Sequence, residues 1–239
     1  MATGSPCEDR DAAHDPIHKF RRPAGDPSFY ENKFDLDHQW GMDQGDAYFS
    51  RRSDTFETLK RVAGRLEGLG IAHAAVGALA FFEHGYRRFT TDVDLLVTAD
   101  GLRAILDRPE AIGCVVPPTG RDQVRDVATG VRIDFLVAGR FPGDRKPGPV
   151  AFPDPGAPGV AIDFGGVMVL DIARLVEIGL ASGLTGGIHR MKDTVNVIEW
   201  IKVAQAPESF ADRLHPSVRD RYAELWTGIR DSPKGPVED

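Results

Sequence analysis

The stretch from Val76 to Val97, VGALAFFEHGYRRFTTDVDLLV, constrains this chain more than any other. Ile71 to Val76 reads as a strand that breaks at Gly77, Ala78 to His84 as a short helix closed by Gly85, and Asp92 to Val97 as a second strand. Side chains alternate along a strand, so Asp92 and Asp94 point to the same face. Such a pair repels itself, and Asp is depleted from strands and rarely buried alone. Either the acids are incidental on an exposed edge strand, or a divalent cation sits between them. The context favours the cation. A glycine at the strand-to-helix turn lets the backbone approach a ligand, and the first free N–H groups of a helix attract an anion. Together these features point to a Mg²⁺-bound polyphosphate.

The combination resembles the nucleotidyltransferase superfamily that includes DNA polymerase β. Its signature is a hydrophobic residue, Gly-Gly or Gly-Ser, a spacer, and Asp-hydrophobic-Asp-hydrophobic, matched here by Val76-Gly77-Ala78 and Asp92-Val93-Asp94-Leu95. The run His84 to Asp92 looks like the minimal and abortive-infection toxin branch, which carries an Arg-x-Thr-x-Asp pattern, here Arg88-Phe89-Thr90-Thr91-Asp92. Ala78 departs from the pattern, so only main-chain N–H contacts to phosphate remain there. A third carboxylate on a later strand is expected from the resemblance. Asp134 in Val131-Arg132-Ile133-Asp134-Phe135-Leu136-Val137 is the match, on the face that alternation also gives to Arg132 and Leu136. By itself that lone Asp reads as a satisfied surface residue more readily than as a ligand. The resemblance implies that Asp92, Asp94 and Asp134 hold two Mg²⁺ (or Mn²⁺) ions with the nucleoside triphosphate, Asp134 helping to deprotonate the acceptor.

Further along, Arg190-Met191-Lys192-Asp193 resembles the Arg-x-Lys-Asp opening of a helix in the toxin-like branch, making Lys192 and Asp193 nucleotide-site candidates beside Gly77, Ala78, Arg88 and Thr90. The alternative for Lys192 and Asp193 is an exposed pair at a helix start. Gly179 stands where the branch commonly has a lysine expected to touch the triphosphate, and Asn196 where it has a later Asp. A lost cation beside a polyphosphate removes roughly 1.5 to 3 kcal/mol of charge-assisted contact.

The rest of the chain supplies the scaffold. Residues 1–50 read as a disordered or loosely docked extension, although Phe29, Tyr30, Phe34 and Trp40 suggest that part of it packs on the domain or a partner. His14 and His18 read as incidental, because Pro16 lies between them. Residues 51–170 form the catalytic core and 171–230 a helical part, with 231–239 a disordered tail. Ser53 or Asp54 caps a helix whose stripe is Phe56, Leu59, Val62, Ala63, Leu66 and Leu69. Asp100 to Arg108 reads as a helix, Cys114 to Val116 as an edge strand, and Val160 to Val169 as a strand or hairpin interrupted at Gly165-Gly166. The Pro- and Gly-rich loop Phe141 to Gly159 either shapes the site or is an insertion without function. Helices follow over Asp171 to Ala181, Met191 to Ala204 and Ser209 to Ile229, the last interrupted at Pro216. In the second, Val195, Val197, Ile198, Ile201 and Val203 are the expected apolar positions.

The expected fold is therefore α/β: a small mixed, twisted sheet flanked by helices, with a C-terminal helical subdomain. Net charge −7 argues against coating nucleic acid by bulk charge while leaving room for a local basic groove. Cys7 and Cys114 do not suggest a disulfide framework, and no apolar run reaches the roughly 20 residues of a membrane span, so a cytoplasmic protein without a membrane partner is expected. The expected activity is transfer of a nucleotidyl group from a nucleoside triphosphate, ATP included, to an acceptor hydroxyl on a tRNA end, a protein or a small molecule. A toxin of this branch would have an antitoxin partner. The rival readings are a non-catalytic nucleotide-binding or partner-binding module, and a sugar-nucleotide transferase using Asp-x-Asp.

Overall fold

The computed structural model describes residues 30–118 and 120–232. Cys7, His14, His18 and the tail beyond Ser232 lie outside the described residues. Among the described residues, eight α-helices and seven strands, with three short 3-10 turns, build a mixed α/β fold around a seven-stranded sheet of order β3-β4-β5-β2-β1-β7-β6. The strands are β1 (His73–Val76), β2 (Asp92–Val97), β3 (Cys114–Val115), β4 (Gln123–Asp126), β5 (Arg132–Val137), β6 (Ala161–Asp163) and β7 (Met168–Leu170). The helices are α1 (Tyr30–Leu36), α2 (His38–Phe49), α3 (Asp54–Gly68), α4 (Gly77–Glu83), α5 (Ala99–Asp107), α6 (Ile172–Thr185), α7 (Met191–Ala204) and α8 (Pro216–Asp231). None of the described helices is long and apolar enough to cross a membrane.

The centre of the sheet sets the register of everything functional. Strand β2 runs antiparallel to β1 and parallel to β5, with Val93, Leu95 and Val97 on one face beside Ile133, Phe135 and Val137. All six are buried. Ser53 caps α3, its hydroxyl accepting from Phe56 N–H at 3.4 Å, and Phe56, Leu59, Val62, Ala63 and Leu66 pack inward as the stripe requires. Leu69 does not: it falls at the helix C-cap and is half exposed. Thr98 caps α5, accepting from Gly101 N–H at 3.0 Å. The Gly165-Gly166 hairpin forms, with both glycines at positive φ.

Four expectations need correction. From Tyr30 onward the N-terminal extension is not loosely docked. Helices α1 and α2 are part of the fold, with Tyr30 and Tyr48 fully buried and Tyr30, Phe34 and Trp40 meeting edge to face at 5.0–5.2 Å. Aromatic burial outweighs the polar composition that made this segment read as a tail. Helix α6 runs through Gly183 to Thr185, because Gly183 is a packing glycine: a Cβ there would strike Thr194 of α7. In α7 the buried residues are Asn196, Val197, Trp200 and Ile201, while Val195 and Val203 are exposed, so the inward stripe is narrower than the apolar composition implied. Pro216 starts α8 instead of interrupting it, as a residue with fixed φ and no N–H can at a first helical position.

The 141–159 loop leaves the C-terminal end of β5, and its backbone pairs back near that end, Gly139 N–H to Phe152 O and Phe152 N–H to Arg140 O, each at 2.8 Å. It lies at the strand ends opposite Asp92. A cavity of about 340 Å³ beneath it is lined by Val150, Asp154, Arg174, Glu177 and His215 and by none of the three carboxylates.

Candidate active site

The site forms where β1 ends and where β2 and β5 begin. Parallel pairing sets Asp94 beside Asp134 and Asp92 beside Arg132, while antiparallel pairing sets Val76 beside Asp94. Register partners share a face, so Asp92, Asp94, Arg132 and Asp134 all project from one side of the sheet. Strand β4 extends this pattern, placing Gln123 beside Asp134 and Arg125 beside Arg132. Two rows thus cross the sheet: Gln123, Asp134 and Asp94, then Arg125, Arg132 and Asp92.

Gly77 closes the first row. Its φ of +63° is the left-handed conformation that glycine tolerates, and a Cβ at this position would collide with Asp94 Oδ2. The turn therefore needs glycine twice over, for its backbone and for the carboxylate seated against it. Ala78, by contrast, is only 3% exposed.

The segment between α4 and β2 is tied down by three contacts to later elements. His84 Nε2 bonds Leu170 O at 2.8 Å, Trp200 Nε1 donates to His84 O at 3.2 Å, and Arg88 Nε donates to Asn196 Oδ1 at 2.9 Å. Asn196, itself buried, is the anchor for Arg88. Arg87 lies outside this arrangement, its guanidinium over the Phe82 ring at 5.3 Å. The Thr90 hydroxyl donates to Asp92 Oδ1, so it orients a carboxylate.

Charge within the site is unbalanced. Partial loss of water pushes the Asp94 carboxyl up to about 7; the charges of Asp92 and Asp134 add to this, while Lys192 and Arg132 oppose it. Asp134 is raised by the same loss of water, with Arg132 opposing and Asp92 adding to it. Arg132 is the principal cation here: Nη2 lies 2.7 Å from Asp92 Oδ2, Nε 3.0 Å from Asp134 Oδ2 and Nη1 3.8 Å from Glu31 Oε1. Burial works against its charge, but the neighbouring carboxylates outweigh burial and raise its pKa. Glu31, on α1, also receives Arg125 Nη1 at 2.8 Å.

Of the sequence candidates, Asp92, Asp94, Asp134 and Gly77 meet at one place, and Lys192, at the start of α7, acts electrostatically on Asp94. Asp193 belongs to the α6–α7 contact, accepting from Ser182 Oγ at 2.5 Å. Gly179 is buried there too: a Cβ would come within 2.9 Å of Val197 Cγ2 and 3.3 Å of Asp193 O, so the helix crossing has no room for a longer residue. Sequence reasoning assigned no role to Arg132 or Glu31. Alternation did place Arg132 on the carboxylate face, whereas nothing local marks Glu31, which reaches the site only because α1 docks. Tyr48 was missed as well. Its buried hydroxyl has no hydrogen-bond partner among the described residues, and loss of water raises its pKa, with Arg88 opposing and Asp92 adding.

Among the described residues no group of three or more His, Cys, Asp or Glu side chains is arranged as a ready metal cage. The donor chemistry nevertheless fits a hard divalent cation: three carboxylates share one face, Asp94 and Asp134 are raised in pKa chiefly by loss of water, and a guanidinium already lies between Asp92 and Asp134.

No family model matches the sequence, and no curated protein matches it. Solved structures do align with it. The antibiotic-resistance factor ANT(2'')-Ia aligns at 11% identity over 74% of this chain and 97% of that one, with a TM-score of 0.43. JHP933 from Helicobacter pylori aligns at 13% identity over 78% of this chain and 84% of that one, with a TM-score of 0.41. An antigenic nucleotidyltransferase-like protein from Paracoccidioides brasiliensis aligns at 16% identity over 74% and 92%, with a TM-score of 0.37.

Proposed function

We propose that this protein is a Mg²⁺- or Mn²⁺-dependent nucleotidyltransferase. An acceptor hydroxyl oxygen attacks the α-phosphorus of a nucleoside triphosphate, the bond to the leaving phosphate breaks, and pyrophosphate departs. One observation carries this reading: Asp92, Asp94 and Asp134 converge on one sheet face against the Gly77 turn.

Asp92 and Asp94 are the residues that would hold both ions, and Asp134 the second. Bound there, the metal would neutralise the triphosphate and acidify the acceptor hydroxyl. The chain's own groups do the positioning. The Gly77 turn brings main chain close to the nucleotide. Thr90 holds Asp92 in orientation, and Asn196 holds Arg88. Lys192 supplies positive charge from the α7 end, and Asp134, raised in pKa, takes the acceptor proton. The acceptor is a tRNA end, a protein hydroxyl or a small molecule. An antitoxin-type partner belongs to the toxin-like version of this reading.

The test is label transfer and pyrophosphate release from each NTP with Mg²⁺ or Mn²⁺, using bulk tRNA, cell lysate, small-molecule panels and the protein itself as acceptors. Asp94→Ala should lower transfer by roughly a hundredfold or more while the fold survives. A folded, fully active Asp94→Ala variant overturns the assignment.

A second reading, a non-catalytic nucleotide-binding module, is favoured by the guanidinium of Arg132 between two carboxylates and by the packed Gly179. It predicts NTP binding without label transfer to any acceptor in the same assay.

A further inference from the structure

Arg132 bonds Asp92 with Nη2 at 2.7 Å and faces Asp134 with Nε at 3.0 Å, so one guanidinium edge spans the outer two of the three carboxylates. The match is imperfect. Arg132 Nε is buried without a well-directed hydrogen bond, so its contact with Asp134 is charge without alignment. Asp94, between them in the register, has no ion-pair partner among the described residues. A third anion stands beside the guanidinium. Glu31 Oε1 lies 3.8 Å from Arg132 Nη1, on a carboxylate fixed by Arg125 at 2.8 and 3.2 Å. Arg125 in turn donates to Gly130 O at 2.9 Å.

We infer that Arg132 is a resident counter-ion that competes with a divalent cation for Asp92 and Asp134, and that Glu31 on α1 receives its guanidinium when the carboxylates are taken. This rests on the reading that the carboxylates hold a cation. A dication and a guanidinium on the same oxygens repel each other strongly at contact distance. Glu31 is the nearest place for the displaced charge: closing 3.8 Å to an ordinary charge-assisted hydrogen bond takes a shift of only about 1 Å. The pair is also cheap to break, because Arg132, Asp92 and Asp134 keep a quarter to a third of their side-chain surface in water. Arg132 is thus a positioning residue. It holds the carboxylates in place before metal arrives, lowers their affinity for it, and couples the site to α1.

The test is a Mn²⁺ titration of the full chain, free Mn²⁺ read by electron paramagnetic resonance, with Arg132→Gln, Glu31→Gln, the double variant and Asp94→Asn, each checked for folding by circular dichroism. Arg132→Gln should bind Mn²⁺ about tenfold more tightly than wild type, a change of ~1.4 kcal/mol. Glu31→Gln should weaken binding severalfold in the wild-type background and have no effect once Arg132 is gone. That loss of coupling separates displacement onto Glu31 from a general change in surface charge. Folded Arg132→Gln with unchanged or weaker affinity overturns the proposal, as does a Glu31→Gln effect of equal size in both backgrounds. If Mn²⁺ binding survives Asp94→Asn intact, or neither wild type nor Arg132→Gln binds Mn²⁺, the metal reading falls and the proposal with it. Binding that needs Asp94 but ignores Arg132 overturns the proposal alone.

Discussion

The contact between Gly77 and Asp94 can be tested without knowing the substrate. Gly77→Ala places a methyl group on a residue at φ +63°, where the left-handed conformation costs a non-glycine residue about 1–2 kcal/mol. That Cβ also occupies the position of Asp94 Oδ2, so the carboxylate must leave its rotamer, at about 0.5–1.5 kcal/mol more. The sum is about 2–3 kcal/mol, or roughly 5–10 °C in Tm for a domain of this size. The two parts separate in an Asp94→Ala background. There the colliding oxygen is gone and the nearest remaining atom of residue 94, its Cβ, stands 3.3 Å from the new methyl, a contact that small shifts absorb. Only the backbone cost should then remain. Urea unfolding of wild type, both single variants and the double variant in EDTA gives the coupling energy directly, expected at about 1 kcal/mol. If Gly77→Ala costs the same in both backgrounds within about 0.5 kcal/mol, Asp94 does not sit against Gly77 and the argument for a shared turn-and-carboxylate site fails.

Two further expectations concern the same region. Gly179→Lys, which restores the residue common in the resembled branch, should destabilise the protein by about 1–3 kcal/mol, because the new Cβ enters the Val197 and Asp193 contact; a variant of wild-type Tm would show that α6 and α7 do not cross there. The pH dependence of stability reports Asp94. Its folded pKa of about 7 lies above the ordinary carboxylate range, so the metal-free folded state holds a proton that the unfolded chain has released. That contribution is fully present below about pH 4 and fades as pH rises to about 7. In EDTA, Asp94→Asn should therefore gain Tm relative to wild type across this window and keep the gain above it; parallel Tm curves would refute the shift.

The legible part of the site was the part written within one strand. Asp92 and Asp94 share a face by alternation alone, and the glycine turn two elements upstream is visible because Gly77 and Gly85 bracket a short apolar helix. The sequence bounds of strand β2 and helix α7 match the structure residue for residue, although the inward stripe of α7 does not include Val195 or Val203. Strand β4, with the sequence Gln-Val-Arg-Asp, went unread because a four-residue strand with three polar positions carries almost no periodic signal. Packing across helices was hidden as well. Gly183 falls beyond the helix that the sequence predicts and becomes intelligible only against Thr194, as Gly179 within that helix does only against Val197.

What no single-strand pattern contains is the choice of neighbours. Alternation put Arg132 and Asp134 on the same face of β5, but their consequence depends on β5 lying parallel beside β2 in the register that pairs Asp94 with Asp134 and Asp92 with Arg132. A slip of one residue would turn Arg132 and Asp134 of β5 into the core and bring Ile133 and Phe135 out, so the same apolar burial that builds the sheet also fixes the carboxylate geometry. The arginine between the acids follows from that register as directly as the acids do. Its partner Glu31 comes from a segment whose composition reads as a tail, brought within reach because Tyr30, next in the chain, is fully buried. The aromatic docking of α1 and the charge state of the carboxylates are therefore one problem: loosening Tyr30 should release Glu31, leave Arg132 to Asp92 and Asp134 alone, and weaken cation binding at a site that Tyr30 never touches.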